Sequence, residues 1–352
     1  MNMIGARMST TPSTGRNDAQ GRGSDESSFS AHLPLSRHEV DRDYLTRDRP
    51  DVFVELLADP ATRILPVWKG RALLAPGASA PETDGFGATG SADGAKSSLA
   101  LLAPSEVPGD ALLIYLGRSL ADDAPEPIGT PLVAAVLSDE QASAVADAEQ
   151  WGNLRMFATD LSARDAGLAT EAIAIANWHA SHRFSPRTGR PLVSSKGGWV
   201  LVDSEDGHEI FPRTDPAIIV GVTDADDRLL LGSNALWEKN RFSLLAGFVE
   251  PGESLEQAVE REIFEESGVR VTNATYLGSQ PWPFPASLML GFRATVDVAN
   301  PGSLEPDGAE IIDLRWFTRD ELASAGDSVI LPGRSSIARA IIEDWYGGEI
   351  DD

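Results

Sequence analysis

The sequence predicts an α+β protein with a β-rich N-terminal domain and a C-terminal domain in which strands and helices alternate. Three observations carry that expectation. Short apolar runs separated by turn residues fill 35–160, a run with helical spacing follows from Ala163 to His182, and residues 247–269 contain a helix with both ends marked by capping residues. A chain of 352 residues also exceeds one ordinary hydrophobic core, so more than one domain is expected.

Taken in order, residues 1–34 are rich in Ser, Thr, Gly, Asp and Arg, with little to bury against the entropy of ordering, and read as a disordered tail. In 35–160, Val52-Phe53-Val54, Thr62 to Val67, Ala111 to Leu116 and Pro131 to Leu137 read as strands. The Gly/Ala/Ser/Asp stretch 76–98 reads as a flexible insertion. Over 161–213 a helix comes first, with Leu168, Ile173, Ile175 and Trp178 at helical spacing and Ser185-Pro186 as its stop. A loop-rich stretch punctuated by Gly189, Pro191, Gly197-Gly198 and Gly207 follows. Residues 214–350 form the alternating domain, and no internal repeat is visible.

Charge and composition remove several function classes. The 29 Lys and Arg against 54 Asp and Glu leave a net charge of −25, which disfavours a broad nucleic-acid footprint or an anionic membrane surface, and a small anionic substrate would need a local cation. Zero cysteines exclude disulfides, thiolate nucleophiles and cysteine-based zinc or iron–sulfur sites, a usage that fits a cytoplasmic protein. Apolar stretches such as Ala217 to Val222 fall far short of the roughly 20 residues needed to span a bilayer. No apolar run accompanies Arg7 and Arg16, so no signal peptide is expected, whether translation starts at Met1 or Met8.

The chemistry concentrates in GFVEPGESLEQAVEREIFEESGV, residues 247–269. Ser254 with Gln257 fits a capping box and Ser267-Gly268 a stop, which predicts a helix from Leu255 to Glu266. At about 100° per residue, Leu255, Ala258 and Val259 share one arc with Glu262, Glu265 and Glu266. An apolar face that ends in three carboxylates needs a positive partner, and Arg261 is the only cation in the helix. Hard divalent cations, Mg²⁺ or Mn²⁺, meet that need, because they take carboxylate oxygens and leave positions for water and phosphate.

Gly247, Glu253, Arg261, Glu262, Ile263, Glu265, Glu266, Gly268 and Val269 resemble the Nudix box, Gx5Ex7REUxEExGU with U apolar. Downstream, SQPWPFPAS at 279–287 is similar to the motif that follows the box in NADH pyrophosphatases of the NudC type, and NWHASHRF at 177–184 and EIFPRTDPAIIV at 209–220 agree. The resemblance implies a C-terminal Nudix α/β/α sandwich and hydrolysis of the diphosphate of NADH or NAD⁺ to nicotinamide mononucleotide and AMP. Removal of the NAD cap from RNA 5′ ends is implied as well, in a homodimer whose Ser287 and Met289 segment reaches the partner's pocket. Metal ligation and catalysis fall to Glu262, Glu265, Glu266 and Glu310, with Glu265 and Glu310 rivals for activating the water. Gly247, Glu253, Arg261 and Gly268 are expected to be structural. Phe248, Phe211, Ile219, Ser287, Met289 and Ala338 match the base pocket of the family.

The family pattern breaks at one place. Where many relatives carry a zinc ribbon of two CxxC pairs, this chain has Ser185, Thr188, Asp203 and Asp206, a poor tetrahedral set, so no zinc is expected. Hydrogen bonds among these groups are expected to replace the metal, and His179, His182 and His208 read as structural. The alternatives are a Nudix hydrolase of another nucleoside diphosphate derivative, such as ADP-ribose or a diadenosine polyphosphate, and a non-catalytic NAD(H)-binding regulator. The acidic balance further predicts that any action on RNA depends on the 5′ end and little on length.

Overall fold

In the computed structural model, which describes residues 29–77 and 97–350, the first sheet is built from β1 (Val40–Asp41), β2 (Arg63–Trp68), β3 (Arg71–Leu73), β4 (Leu112–Ser119), β5 (Pro131–Val136) and β6 (Trp151–Gly152). Their order is β1-β4-β5-β2-β3-β6, and β2 lies parallel to β5 while the other neighbours are antiparallel. Both faces are covered. Side chains alternate along a strand, so Leu65, Val67, Ile114, Leu116, Leu132 and Ala134 meet the long helix α4 (Ala163–Ser181), while Ile64, Tyr115, Val133 and Ala135 meet α1 (Val52–Ala58) and α2 (Asp139–Val145). Two-sided burial explains why these strands read as near-continuous apolar runs.

Three expectations are corrected here. Val52-Phe53-Val54 opens helix α1, not a strand: Val52 and Leu56, four residues apart, are buried together, and Val54 faces solvent. Residues 29–34 are ordered, as short 3-10 turns, with Leu33 and Pro34 buried; the rest of the expected tail, 1–28, and positions 78–96 of the expected insertion lie outside the described residues. The loop-rich stretch holds a small antiparallel sheet, β7 (Leu192–Ser195), β8 (Val200–Asp203) and β9 (Glu209–Ile210). Its strands are too short for a clear period-two signal.

The second large sheet contains β10 (Asp215–Thr223), β11 (Leu229–Asn234), β12 (Leu245–Phe248), β13 (Val271–Trp282), β14 (Ser287–Val296) and β15 (Ile311–Phe317). Its order is β13-β14-β10-β11-β15, with β12 paired to β10 and β10 parallel to β14. Helix α5 (Leu255–Ser267) lays Ala258, Val259 and Ile263 on one face, against Ile218, Val220 and Phe292. Beyond the short α6 (Arg319–Ala323), α7 (Ile337–Tyr346) lays Ile337, Ile341 and Trp345 on the other, against Ile219, Leu229 and Leu231. This is the expected α/β/α sandwich.

The two large sheets share a topology. The order β4-β5-β2-β3-β6 corresponds strand for strand to β13-β14-β10-β11-β15, with the parallel pair in the same place, and the short α3 (Leu154–Phe157) and α4 follow β6 as α6 and α7 follow β15. Between β3 and β4 the described residues hold one 3-10 turn, Pro104–Glu106, where the second domain has β12 and α5. A duplication of fold is therefore present without a visible repeat of sequence.

Candidate active site

Helix α5 starts where its sequence says it should. Ser254 accepts the Gln257 N–H, Gln257 accepts the Ser254 N–H in return, and Gly268 closes the helix at φ 68°. Gly247 on β12 makes room for a side chain of that helix. A Cβ there would lie 2.0 Å from the Glu262 carboxyl carbon, so only glycine lets that carboxylate rest on the strand. Glu253 and Arg261 form the expected brace, with Nε donating to Oε1 at 2.7 Å and Nη2 to Oε2 at 3.0 Å. Arg261 also donates to the Phe248 carbonyl at 2.9 Å, which ties the loop before the helix to the helix itself.

The three box carboxylates do not share one environment. Glu266 is buried, Glu262 is largely covered, and the Glu265 side chain is 59% exposed, with Oε2 3.0 Å from Arg261 Nη1. The expectation that all three face inward is corrected: the buried arc centres between Ala258 and Ile263, which places Glu265 about 90° away at 100° per residue. Arg261 Nη1 also lies 2.9 Å from Glu262 Oε1, so one guanidinium bridges Glu262 and Glu265. Burial raises the pKa of Glu262 against the pull of Arg261.

Glu266 carries the strongest signal. Burial first, then the charges of Glu262, Glu310 and Asp307, push its pKa up to about 8, against one backbone hydrogen bond from Ala246. Its Oε2 is buried without a hydrogen-bond partner. Glu310, in the turn before β15, is exposed; its Oε1 accepts from Asn234 Nδ2 at 3.3 Å, and its N–H donates to Asp307. Among the described residues no three His, Asp or Glu side chains converge closely enough to hold a metal by themselves. An orphaned carboxylate oxygen amid repelling carboxylates nevertheless fits a hard divalent cation whose remaining ligands are water and phosphate oxygens.

Beside Glu266 and Glu310 opens a mostly apolar cavity of about 200 Å³. Three of the six residues that the resemblance assigns to a base pocket, Ile219, Met289 and Ala338, line it. Phe248 and Phe211 are exposed and do not line it, and Ser287 pairs with Asp215 at the start of β14, outside it. Several lining residues carried no sequence signal. Asn153, Arg155 and Met156 come from the N-terminal domain, and Trp237 and Arg241 from the turn after β11. Among the lining residues, Glu266 belongs to the box, Ile219 to EIFPRTDPAIIV and Trp282 to PWPFP.

The cysteine-free ribbon is held by a guanidinium. Asp203 is buried; Arg190 Nε donates to both of its oxygens, at 2.9 and 3.1 Å, and Thr188 Oγ1 donates at 2.6 Å. Arg190 also reaches Asp206 Oδ2 at 3.3 Å, Arg187 pairs with Asp206, and Ser185 Oγ accepts the N–H groups of Arg187 and Thr188. These bonds hold the Asp203 carboxyl well below the usual carboxylate range, Arg190 being the largest cause. His179 bonds the Gly198 carbonyl at 2.7 Å and His182 the Trp178 carbonyl at 3.1 Å, both structural placements.

Comparison with known proteins agrees with this geometry. A NUDIX domain model matches residues 212–335, and a model described as an NADH pyrophosphatase-like rudimentary NUDIX domain matches 61–178. A Mycobacterium bovis protein named NAD-capped RNA hydrolase NudC is 50% identical over 192 residues, 52% of this chain and 61% of that protein; the Mycobacterium tuberculosis protein of the same name is 49% identical over the same length. This chain thus spans about three fifths of those relatives. The Pseudomonas syringae protein of that name is 39% identical over 217 residues, covering 62% of this chain and 73% of that protein. With a Nudix box on α5, a second Nudix-like sheet before it and matches of this extent, the chain belongs to the NudC family of Nudix hydrolases.

Proposed function

We propose that this chain hydrolyses the diphosphate of NADH and NAD⁺ to nicotinamide mononucleotide and AMP, and removes the same group as a cap from RNA 5′ ends. The observation that carries the proposal is Glu266, buried with an unpartnered oxygen beside an apolar cavity of base-binding character. The names of the relatives from Mycobacterium and Pseudomonas point the same way.

Glu262, Glu266 and Glu310, with Glu265 beside them, would hold Mg²⁺ or Mn²⁺, which when bound neutralises diphosphate oxygens and lowers the pKa of water. Gly247 seats the Glu262 carboxylate, and Glu253 fixes Arg261, which positions Glu262 and Glu265. Ile219, Met289 and Ala338 exclude water from one nucleoside, while Arg155 supplies a cation that an anionic substrate needs in this acidic protein. Water adds to one phosphorus as the bridging P–O bond breaks, and its proton passes to Glu310, whose charge is felt at Glu266, or to Glu265, which Arg261 links to Glu262. We further propose the homodimer that the family resemblance implies, and a cytoplasmic location.

Product chromatography with NADH, NAD⁺, ADP-ribose and NAD-capped RNA, each with Mg²⁺ and with Mn²⁺, tests the reading. Nicotinamide mononucleotide and AMP are expected from the first two. Preference for ADP-ribose would move the substrate elsewhere in the superfamily, and binding of NAD(H) without turnover would identify a regulator.

A further inference from the structure

A second depression, of about 670 Å³, adjoins the first. The two share Asn153 and Arg155. Its lining contains Lys69, Arg71, Arg155, His182 and Arg213 and no Asp or Glu, in a chain whose net charge is −25. These basic side chains come from four parts of the fold: the β2–β3 turn and β3, the segment after β6, the end of α4, and the segment before β10. Phe284 forms part of the wall, with Arg155 stacked 4.3 Å from its ring centroid.

Two of these cations are paired with carboxylates that lie outside the lining. Lys69 Nζ lies 2.9 Å from Asp139, with both side chains well exposed, and Arg213 Nη2 lies 2.6 Å from Asp215 at the surface. The Lys69 pair is exposed on both sides and contributes little net free energy, so a phosphate presented in the groove can take that cation from its carboxylate, whereas Arg213 grips Asp215 through both Nε and Nη2 and would share its charge with a phosphate.

Resting on the function proposed above, we infer that this groove takes a phosphate carried on the adenosine ribose of the dinucleotide: the 3′-linked phosphodiester of a capped RNA. The groove adjoins the cavity proposed to receive the dinucleotide, and the depression beyond it, which shares Arg213, also contains the carboxylate of Glu171. The groove would hold the first linking phosphates, in keeping with the dependence on the 5′ end expected from the acidic composition.

The test compares wild type with Lys69→Ala/Arg213→Ala on four substrates: NAD⁺, NAD⁺ bearing a 2′-phosphate, NAD⁺ extended at the 3′ position by one nucleotide, and a long NAD-capped RNA. Neither residue lines the dinucleotide cavity, so hydrolysis of NAD⁺ should be unchanged. KM for both 3′-extended substrates should rise roughly tenfold with kcat retained, and the slope of log KM against log salt should fall by about 0.7 for each lost contact. Equal effects on NAD⁺ and the extended substrates, or no effect on either, would overturn the inference. A loss confined to the 2′-phosphorylated dinucleotide would assign the groove to that phosphate instead, and a KM that keeps falling with RNA length would place the RNA-binding surface elsewhere. Failure of the proposed function reads differently: wild type would then cleave neither NAD⁺ nor its extended forms.

Discussion

At Glu266 burial and ionisation oppose each other. A carboxyl whose folded pKa is raised contributes its full stability below the unfolded value of about 4.3. That contribution is lost as pH rises toward about 8. Glu266→Gln therefore should raise the melting temperature of the metal-free protein at pH 8 by roughly 5 °C, and should lower turnover by about two to three orders of magnitude, the effect of losing several kcal/mol of metal-mediated stabilisation. Scanning calorimetry with chelator and a turnover assay read the two halves; full activity in that variant would refute the metal assignment. Gly247→Ala tests the neighbouring constraint. Its Cβ must displace the Glu262 carboxyl, at a cost of about 1–3 kcal/mol, and activity should fall more than stability because the displaced group is a proposed ligand.

At the scale of elements, the segment at 185–210 is cross-linked by one guanidinium, Arg190, which ties Asp203 to Asp206. Asp203 has a depressed pKa, so its contribution is present above the unfolded carboxylate value near 3.9 and is lost as pH falls below it. Asp203→Asn should therefore be less stable than wild type at pH 7, with the gap closing in acid; thermal melts from pH 7 down to about 3 measure it, and a constant gap would contradict the account. Ser254→Ala removes the α5 cap at about 1 kcal/mol and should delay neither metal binding nor folding to the same end state. Helix α5 is legible in the sequence because its caps, spacing and stop all lie within one stretch of chain. Helix α1 reads as a strand because the run Val52 to Leu57 is apolar nearly throughout, and only the sheet packed on it decides which side is buried.

For the whole molecule, the N-terminal residues complete the C-terminal domain. Leu33 is fully buried in the core of Ile219, Ile337 and Ile341, and Ser36 Oγ donates to the Ser279 carbonyl at 2.8 Å. Leu33→Ala is expected to destabilise the Nudix domain by about 2–5 kcal/mol, read as a lower denaturant midpoint, although residue 33 precedes the box by more than two hundred positions. The domains are joined again at the site: Ser335 Oγ donates to the Arg155 carbonyl at 2.6 Å and Asn177 Nδ2 to the Pro283 carbonyl at 2.9 Å. The rudimentary domain thus keeps the sheet of a Nudix fold, while its described residues lack a counterpart of α5. What it brings to the site is Asn153, Arg155 and Met156.

The sequence by itself determined the family, the helix that carries Glu262, Glu265 and Glu266, the sandwich around it and the absence of a thiolate metal site, because each is written in residues close together or in composition. Tertiary structure alone decided that Glu265 faces solvent while Glu266 is buried, that Phe211, Phe248 and Ser287 stay out of the cavity, and that Arg155 from the other domain enters it. It also decided that five basic residues scattered from Lys69 to Arg213 meet in one groove of a strongly acidic chain. The physical reason is the same in each case: helical period and caps are local, whereas the side on which a residue is buried, and the charge it meets there, depend on which distant strand packs against it.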